Sequence, residues 1–315
     1  MSTSRVRLET TGPEIKIKRG VKQGDPLSPK LFIAVLEMIF RKLDWKDYGI
    51  RIANNHLSHL RFADDIILFS ESSSQLEKMV QTLQVESARV GLEMNLQKTK
   101  LMTNSEKLPI MIRDTNLDYV ESYIYLGKQV SFNPNSNIEE INRRINISWQ
   151  KFWAHREILK GEMPLSMKKK VIDTAILPCL TYGSQTWTYT KQVKEKIRIC
   201  QAAMERSILK IRKINKIRNS TIRKRTKLID FLHHSMRLKW KWAGHVARME
   251  DSRWTKRVLT WTGPTGKRKR GRPRRNWIDD IKEIAGDKWC IEARDRQKWS
   301  NLEEAFTLQR GSHSI

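Results

Sequence analysis

The sequence predicts an α+β fold: an antiparallel sheet with helices on one face, followed by a mostly helical C-terminal half. Three observations carry this. Short apolar stretches set between turn residues recur through residues 1–132. Amphipathic helical patterns are interleaved with them, and from Ile138 onward the apolar spacing is helical.

Taken in order, Val6 to Lys18 alternates weakly, with Ile15 and Ile17 on one side and Lys16 and Lys18 on the other, as in one half-exposed strand. Gly20 to Pro29 holds two glycines and two prolines and reads as a loop. Gly24 lacks a Cβ, so a ligand or another backbone can approach closely; a plain helix-capping connector is the alternative. Ser28-Pro29 then starts a helix, serine as N-cap and proline at the first helical position. Leu31, Phe32, Val35, Leu36, Ile39, Phe40 and Leu43 give that helix an apolar face, placed beneath the next hairpin.

That hairpin is the stretch Leu60-Arg61-Phe62-Ala63-Asp64-Asp65-Ile66-Ile67-Leu68-Phe69-Ser70, which reads as strand, tight turn, strand. At its tip the Asp64 and Asp65 carboxylates can lean toward one point, where they repel and call for a cation. Oxygen-only ligands on a rigid hairpin suit Mg²⁺, which keeps several waters and is completed by substrate phosphates. A surface turn that happens to contain two aspartates is the alternative. Next, Ser74-x-x-Glu77 reads as a capping box; Leu76, Met79, Val80 and Leu83 form a buried stripe, and Gly91 ends the helix. Leu92 to Thr103 reads as extended, and Ile110–Ile112 and Tyr123–Val130 supply further short strands. After the linker Asn133-Pro134-Asn135-Ser136, apolar residues recur at three and four: Ile138, Ile141, Ile145, Trp149, Phe152. Pro164 and Pro178 bracket another helix, containing Val171, Ile172, Ala175 and Ile176 and closed by Tyr182-Gly183. Boundaries therefore fall at 1–132, 133–190 and 191–315.

The chain has 315 residues, with 61 Lys+Arg against 34 Asp+Glu and a net charge of +27. That excess predicts attraction to a polyanion, nucleic acid first. No apolar run approaches a spanning helix and Met1 opens no secretory signal, so no membrane partner is expected. Cys179, Cys200 and Cys290 are far apart, match no zinc spacing and read as free thiols of a reducing compartment. Nothing in the sequence sets an oligomeric state.

Four motifs stand in order: Arg19-Gly20-Val21-Lys22-Gln23-Gly24-Asp25-Pro26-Leu27-Ser28-Pro29, the hairpin, Gly91-Leu92-Glu93-Met94-Asn95-Leu96-Gln97-Lys98-Thr99-Lys100, and Tyr125-Leu126-Gly127. In that order and spacing they resemble the palm motifs of reverse transcriptases, especially those of non-LTR retrotransposons of the endonuclease–reverse transcriptase type. The likeness continues through Thr181-Tyr182-Gly183-Ser184-Gln185-Thr186-Trp187, Gly244-His245-Val246-Ala247-Arg248-Met249 and Arg270-Gly271-Arg272-Pro273. It implies an RNA-directed DNA polymerase that takes an RNA template, a DNA primer and a dNTP. It also implies a partial palm over 1–132, a helical thumb over 133–190 and a basic nucleic-acid-binding region over 191–315. Asp64 and Asp65 would be catalytic and hold Mg²⁺, two ions in the whole enzyme, with Asp64 the main ligand. Gln23, Gly24 and Asp25 would lie near the incoming nucleotide and template base. Lys98 and Lys100 would lie near the triphosphate, or else be solvated strand lysines. The family's third carboxylate belongs to a motif before Arg19; Glu9 and Glu14 match no such motif, which leads us to expect a C-terminal portion of such an enzyme.

Beyond Trp187 the chain is strongly basic. Arg212, Lys213, Arg223, Lys224 and Arg225 are candidate nucleic-acid contacts, as are Lys239 and Lys241 in Lys239-Trp240-Lys241-Trp242. The tryptophans there could stack on bases or serve as core anchors. Arg270 and Arg272 sit in a basic segment, 267–275, that reads as a phosphate binder, a linker or an AT-hook-like minor-groove element, and as a nuclear localisation signal. The alternative to a polymerase is a catalytically inactive nucleic-acid binder driven by this tail.

Overall fold

The computed structural model describes residues 2–7, 9–17, 20–249, 253–261, 263 and 275–308. Its contacts divide the chain into two compact units, residues 1–101 with 105–119, and residues 102–104 with 120–315.

In the first unit, β1 (Ser2–Arg7) and β2 (Thr11–Ile17) form an antiparallel ribbon joined across Arg5 and Glu14 by a 3.0 Å ion pair. The expected single strand over Val6–Lys18 is thus the second half of a hairpin, because the chain reverses between Arg7 and Thr11. Helix α1 (Ser28–Lys42) follows the loop. Ser28 is not its cap: the hydroxyl donates to the Lys22 carbonyl at 2.6 Å. The N-cap position falls to Leu27 with no side-chain cap, and Asp25 shapes the turn into the helix: its Oδ1 accepts from the Leu27 amide at 2.8 Å and its carbonyl accepts from the Ser28 amide. Leu36, Ile39 and Phe40 of α1 pack with Trp45, Met79 and Leu83, while Ile66 and Leu68 of the Asp-Asp hairpin close over them. The hairpin does lie on α1; Leu31, expected on the same face, is instead exposed.

Short ribbons follow: β3 (Ile50–Ile52) with β4 (Asn55–Leu57), and β5 (His59–Phe62) with β6 (Asp65–Leu68). Helix α2 (Ser73–Arg89) starts two residues earlier than a Ser74 cap would place it, because Ser72 Oγ accepts from the Gln75 amide. Its Val80 joins Leu101, Ile110, Ile112 and Leu117 in a second cluster. That cluster is framed by β7 (Lys100–Leu101), β8 (Met111–Ile112), β9 (Thr115–Asn116) and β10 (Asp118–Tyr119). The expected continuous antiparallel sheet is absent from the described residues. Six two-stranded ribbons replace it, and β7 with β10 is parallel. The turns give the reason. Ala53, Ala63, the pair Arg113 and Asp114, and the pair Leu126 and Gly127 take positive φ, the conformation that folds a strand back on its own neighbour. Each strand thereby pairs along one edge with its near neighbour in sequence, save β7 with β10.

The second unit opens with β11 (Ser122–Tyr125) and β12 (Lys128–Ser131) and continues as helices. These are α3 (Ser136–Ala154), α4 (Arg156–Lys160), α5 (Leu165–Val171), α6 (Leu177–Thr181), α7 (Lys191–Ile208) and α8 (Asn219–Thr226). Then come α9 (Phe231–Ala247), α10 (Trp254–Thr260), α11 (Asp279–Ala285), α12 (Trp289–Glu292) and α13 (Arg296–Thr307). One core runs from Ile141 on α3 to Phe306 on α13, so the regions expected as separate at 133–190 and 191–315 share it. Pro178 does not end a helix. Between α5 and α6 the chain makes a π-turn over Ile172–Ile176, in which the Leu177 amide donates to the Ile172 carbonyl five residues back. Proline has no amide to give, and the wider turn lets the helix run through it.

Helix α9 is held by an unusual pairing. The indoles of Trp240 and Trp299 stack at 3.9 Å and 8°, and each donates its N–H to the other residue's carbonyl, at 2.9 and 3.1 Å. Gly244, one turn along α9, makes room: a Cβ there would lie 2.4 Å from Trp299 Nε1. Gly244→Ala should therefore cost about 1–3 kcal/mol of stability, the range for overpacking a filled core. Urea unfolding followed by tryptophan fluorescence measures it, and an unshifted midpoint would mean the indole can move aside.

Candidate active site and nucleic-acid interface

The hairpin pairs His59 with Leu68, Leu60 with Ile67, Arg61 with Ile66 and Phe62 with Asp65, leaving Ala63 and Asp64 as a two-residue turn. Ala63 takes φ 51°, the left-handed geometry such a turn requires at its first position. Asp64 is thus the second turn residue and Asp65 the first of β6, and the sequence fixes both at one tip. Both are exposed, and neither carboxylate has a hydrogen-bond or ion-pair partner among the described residues. The nearby cation is directed elsewhere: Arg61 Nη2 donates to Glu37 Oε2 at 2.9 Å, and its guanidinium lies 4.3 Å over the Phe40 ring. Arg41 and Arg61 together hold the Glu37 carboxyl below its usual range.

His59, at the base of the hairpin, packs its ring 4.6 Å from Phe40 and 5.8 Å from Trp45. Burial, with Arg61 adding, pushes its pKa down to about 4, while Glu37 opposes the shift.

In the loop before α1, Gln23 and Gly24 are exposed, and Gly24 holds φ +85° over open space. Asp25 is half-buried and its carboxylate accepts from the Leu27 amide in the turn before the helix. Lys98 is exposed; its amide donates to Asn95 Oδ1, which bends residues 95–99 into a turn in place of the expected strand. Lys100 is ion-paired to Asp118 at 2.6 Å. Helix α1 is the common support: it continues the loop, bears Glu37, and shares one apolar cluster with Ile66 of the hairpin and Met94 of the segment leading to Lys98.

Exposed, unpaired carboxylates suit Mg²⁺ in kind, since it prefers oxygen donors and keeps waters. They do not suffice in number: among the described residues, no group of three or more His, Cys, Asp or Glu could hold a metal ion. Asp64 and Asp65 offer two carboxylates, fewer than such a group needs.

In the second unit, Arg212, Lys213, Lys224, Arg225 and Lys241 are exposed, as nucleic-acid contacts must be. Arg223 is half-buried and bound to Asp230 at 2.7 Å. Lys239 overturns its assignment. It is fully buried, with Nζ 2.6 Å from Asp280 Oδ2, donating also to the Trp187 carbonyl, and 4.8 Å from the Trp277 ring. Burial pushes its pKa down to about 8 against the pull of Asp280. Two residues along a helix turn the side chain through about 200°, so Lys239 faces the core where Lys241 faces out. Arg270 and Arg272 lie outside the described residues.

Sequence reasoning missed two groups. Asp280 also accepts from the Tyr189 amide at 3.0 Å and from Arg275 at 2.8 Å, a convergence of segments with no local signature. Buried Glu140 binds Arg143 and Arg144, which both donate to the Gly127 carbonyl at the tip of the β11–β12 ribbon. Its i,i+3 and i,i+4 spacing was visible in the sequence.

Residues 3–130 match the family described as reverse transcriptase (RNA-dependent DNA polymerase). A transposon-derived protein of Caenorhabditis elegans is 34% identical over 269 residues, covering 79% of this chain and 96% of that protein. The chain belongs to the reverse transcriptases of non-LTR retrotransposons. It is also similar to the Pol polyprotein of the type-1 retrotransposable element R2 of Nasonia vitripennis, 37% identical over 94 residues, 29% of this chain. The polyprotein of the type-2 element R2DM of Drosophila melanogaster is 39% identical over 80 residues, 25% of this chain. The chain spans only 9% and 8% of those two polyproteins. The family match covers the hairpin, the loop before α1 and Lys98, the residues assembled around α1.

The pH response of this reverse transcriptase unit follows from His59. Its folded pKa, about 4, lies below the unfolded value of about 6.5, so between them the unfolded chain binds more protons. Stability should fall as pH drops from about 6.5 toward 4, and His59→Phe should flatten that fall. Thermal melts of both proteins at several pH values in this window measure it, and parallel curves would assign the acid sensitivity elsewhere.

Proposed function

We propose that this chain contributes to an RNA-directed DNA polymerase of a non-LTR retrotransposon, acting on an RNA template, a DNA primer and a dNTP. The observation that carries the reading is the uncompensated Asp64-Asp65 tip in a chain of net charge +27. A basic protein that leaves two adjacent carboxylates unpaired among the described residues, while turning the nearby Arg61 onto Glu37 and Phe40, keeps them for a cation it does not itself supply. Asp64 and Asp65 are two of the carboxylates that hold Mg²⁺. When bound, the two ions of such an enzyme activate the primer 3′ hydroxyl and stabilise the departing pyrophosphate. The chain's own contribution is placement: the two-residue turn presents both carboxylates, Gln23 and Gly24 border the nucleotide, and the Lys98 ammonium meets its phosphates. In this reading residues 1–132 act as palm, 133–190 as thumb and 191–315 as a basic region that binds nucleic acid in the nucleus.

A second reading, nucleic-acid binding without polymerisation, is favoured by the lack of a third carboxylate beside the pair among the described residues. RNA-templated primer extension with Mg²⁺ separates the two, run beside Asp64→Asn/Asp65→Asn. The polymerase reading expects extension that falls to background in the double variant. No extension by either protein, with salt-dependent binding of primer–template equal in both, would establish the second reading.

A further inference from the structure

Residues 206–229 contain ten Lys and Arg, no acid and no aromatic residue. Three lysines among them, Lys210, Lys216 and Lys227, take left-handed φ values of 56°, 48° and 49°. These are positions at or just beyond helix ends, where glycine or asparagine relieves the strain that a Cβ with a long side chain meets. Lys216 closes the short turn Lys213–Asn215, and Lys227 closes α8. Lys210 pairs with Glu162 at 2.7 Å; Lys216 and Lys227 are exposed and have no partner among the described residues.

The same segment is braced from within. Thr226 on α8 donates to Oε1 of Glu205, which is buried on α7 and also takes a hydrogen bond from Gln201. Arg206 donates to the Ile217 carbonyl and to Asn219 Oδ1, fixing the loop to the start of α8. Asn215 Oδ1 accepts from the Arg212 amide. Arg206 and Arg223 are thus structural and Lys210 is paired, whereas Arg212, Lys213, Lys216, Arg218, Lys224, Arg225 and Lys227 are exposed on this braced frame.

We propose that residues 210–227 form a rigid surface for the phosphate backbone of a nucleic-acid duplex, with Lys216 and Lys227 held on left-handed residues for the charge they present. Single-strand sites pair a basic track with aromatic platforms for the bases. This surface has no ring to offer, and its one strongly exposed apolar side chain is Ile214, 80% accessible. A fixed array of cations without stackers matches a stiff helix read through its phosphates. The inference rests on the nucleic-acid reading of the basic region and is independent of polymerisation: a chain that extends no primer would still show it.

The test is Lys216→Asn/Lys227→Asn in the full chain, compared with Lys46→Asn/Lys78→Gln, which removes the same charge from the first unit. Asparagine tolerates the left-handed backbone, so the melting midpoint should stay level or rise. Affinity for a random-sequence DNA duplex at about 0.1 M salt should fall by more than about tenfold, and the slope of log K against log salt should lessen by about 1.8, two phosphates' share. The control variant should bind as the unaltered chain does. Unchanged affinity and slope, an equal loss in the control, or an equal loss toward the matching single strand would each overturn the proposal. So would a lowered midpoint, which would show the lysines serving the fold.

Discussion

The second unit depends on one buried charge. Asp280 is wholly enclosed, and an isolated carboxylate there would be untenable. Lys239, Arg275 and the Tyr189 amide answer it, and Lys239 also reaches the Trp187 carbonyl. One carboxylate thereby fixes α9, α11, the segment before α7 and the residue that enters α11. Such a pair adds little net stability over a well-packed apolar substitute, yet loss of either partner leaves a bare charge in the core. Its effect here is to choose a rotation for α9. With Lys239 drawn inward, Trp240 meets Trp299, Gly244 passes beneath the indole, and Lys241 faces solvent.

Much of this was legible in the sequence where the signal is local. The strand–turn–strand around Asp64-Asp65, the buried stripe of α2 and the three-and-four spacing of α3 all follow from the near neighbours of each residue, and the structure has them. Failures came where distant residues decide. Nothing beside Lys239 announces Asp280, forty-one positions away. Ser28 has the residue type of a cap, but its hydroxyl is drawn back to the Lys22 carbonyl, six residues away, in a turn that Asp25 shapes. The continuous sheet dissolved into ribbons because alanine, arginine and leucine accept left-handed turns that composition alone assigns to glycine and asparagine.

The hairpin shows how a family trait is built from ordinary forces. Apolar contact seats Ile66 and Leu68 on α1 and α2, while the opposite alternation leaves Asp65 outside. Glu37 and Phe40 then draw Arg61 inward along the same helix. Among the described residues the carboxylates stay unpaired, the neighbouring cation being held by Glu37 and Phe40, and the His59 ring at the base of the hairpin belongs to the packing.

The π-turn at Ile172–Ile176 also sets a phase. One additional residue in a helical turn rotates everything after it by about 100°. Downstream stands Tyr182, whose hydroxyl donates to the Leu126 carbonyl and whose ring lies 4.5 Å beneath Arg144. Arg144 in turn donates to Gly127. The bulge therefore acts as a timing mark: delete one residue from it and a straight α-helix would carry Tyr182 a quarter-turn past the ribbon tip. Helix length in this stretch is consequently under a constraint that no residue within it reveals.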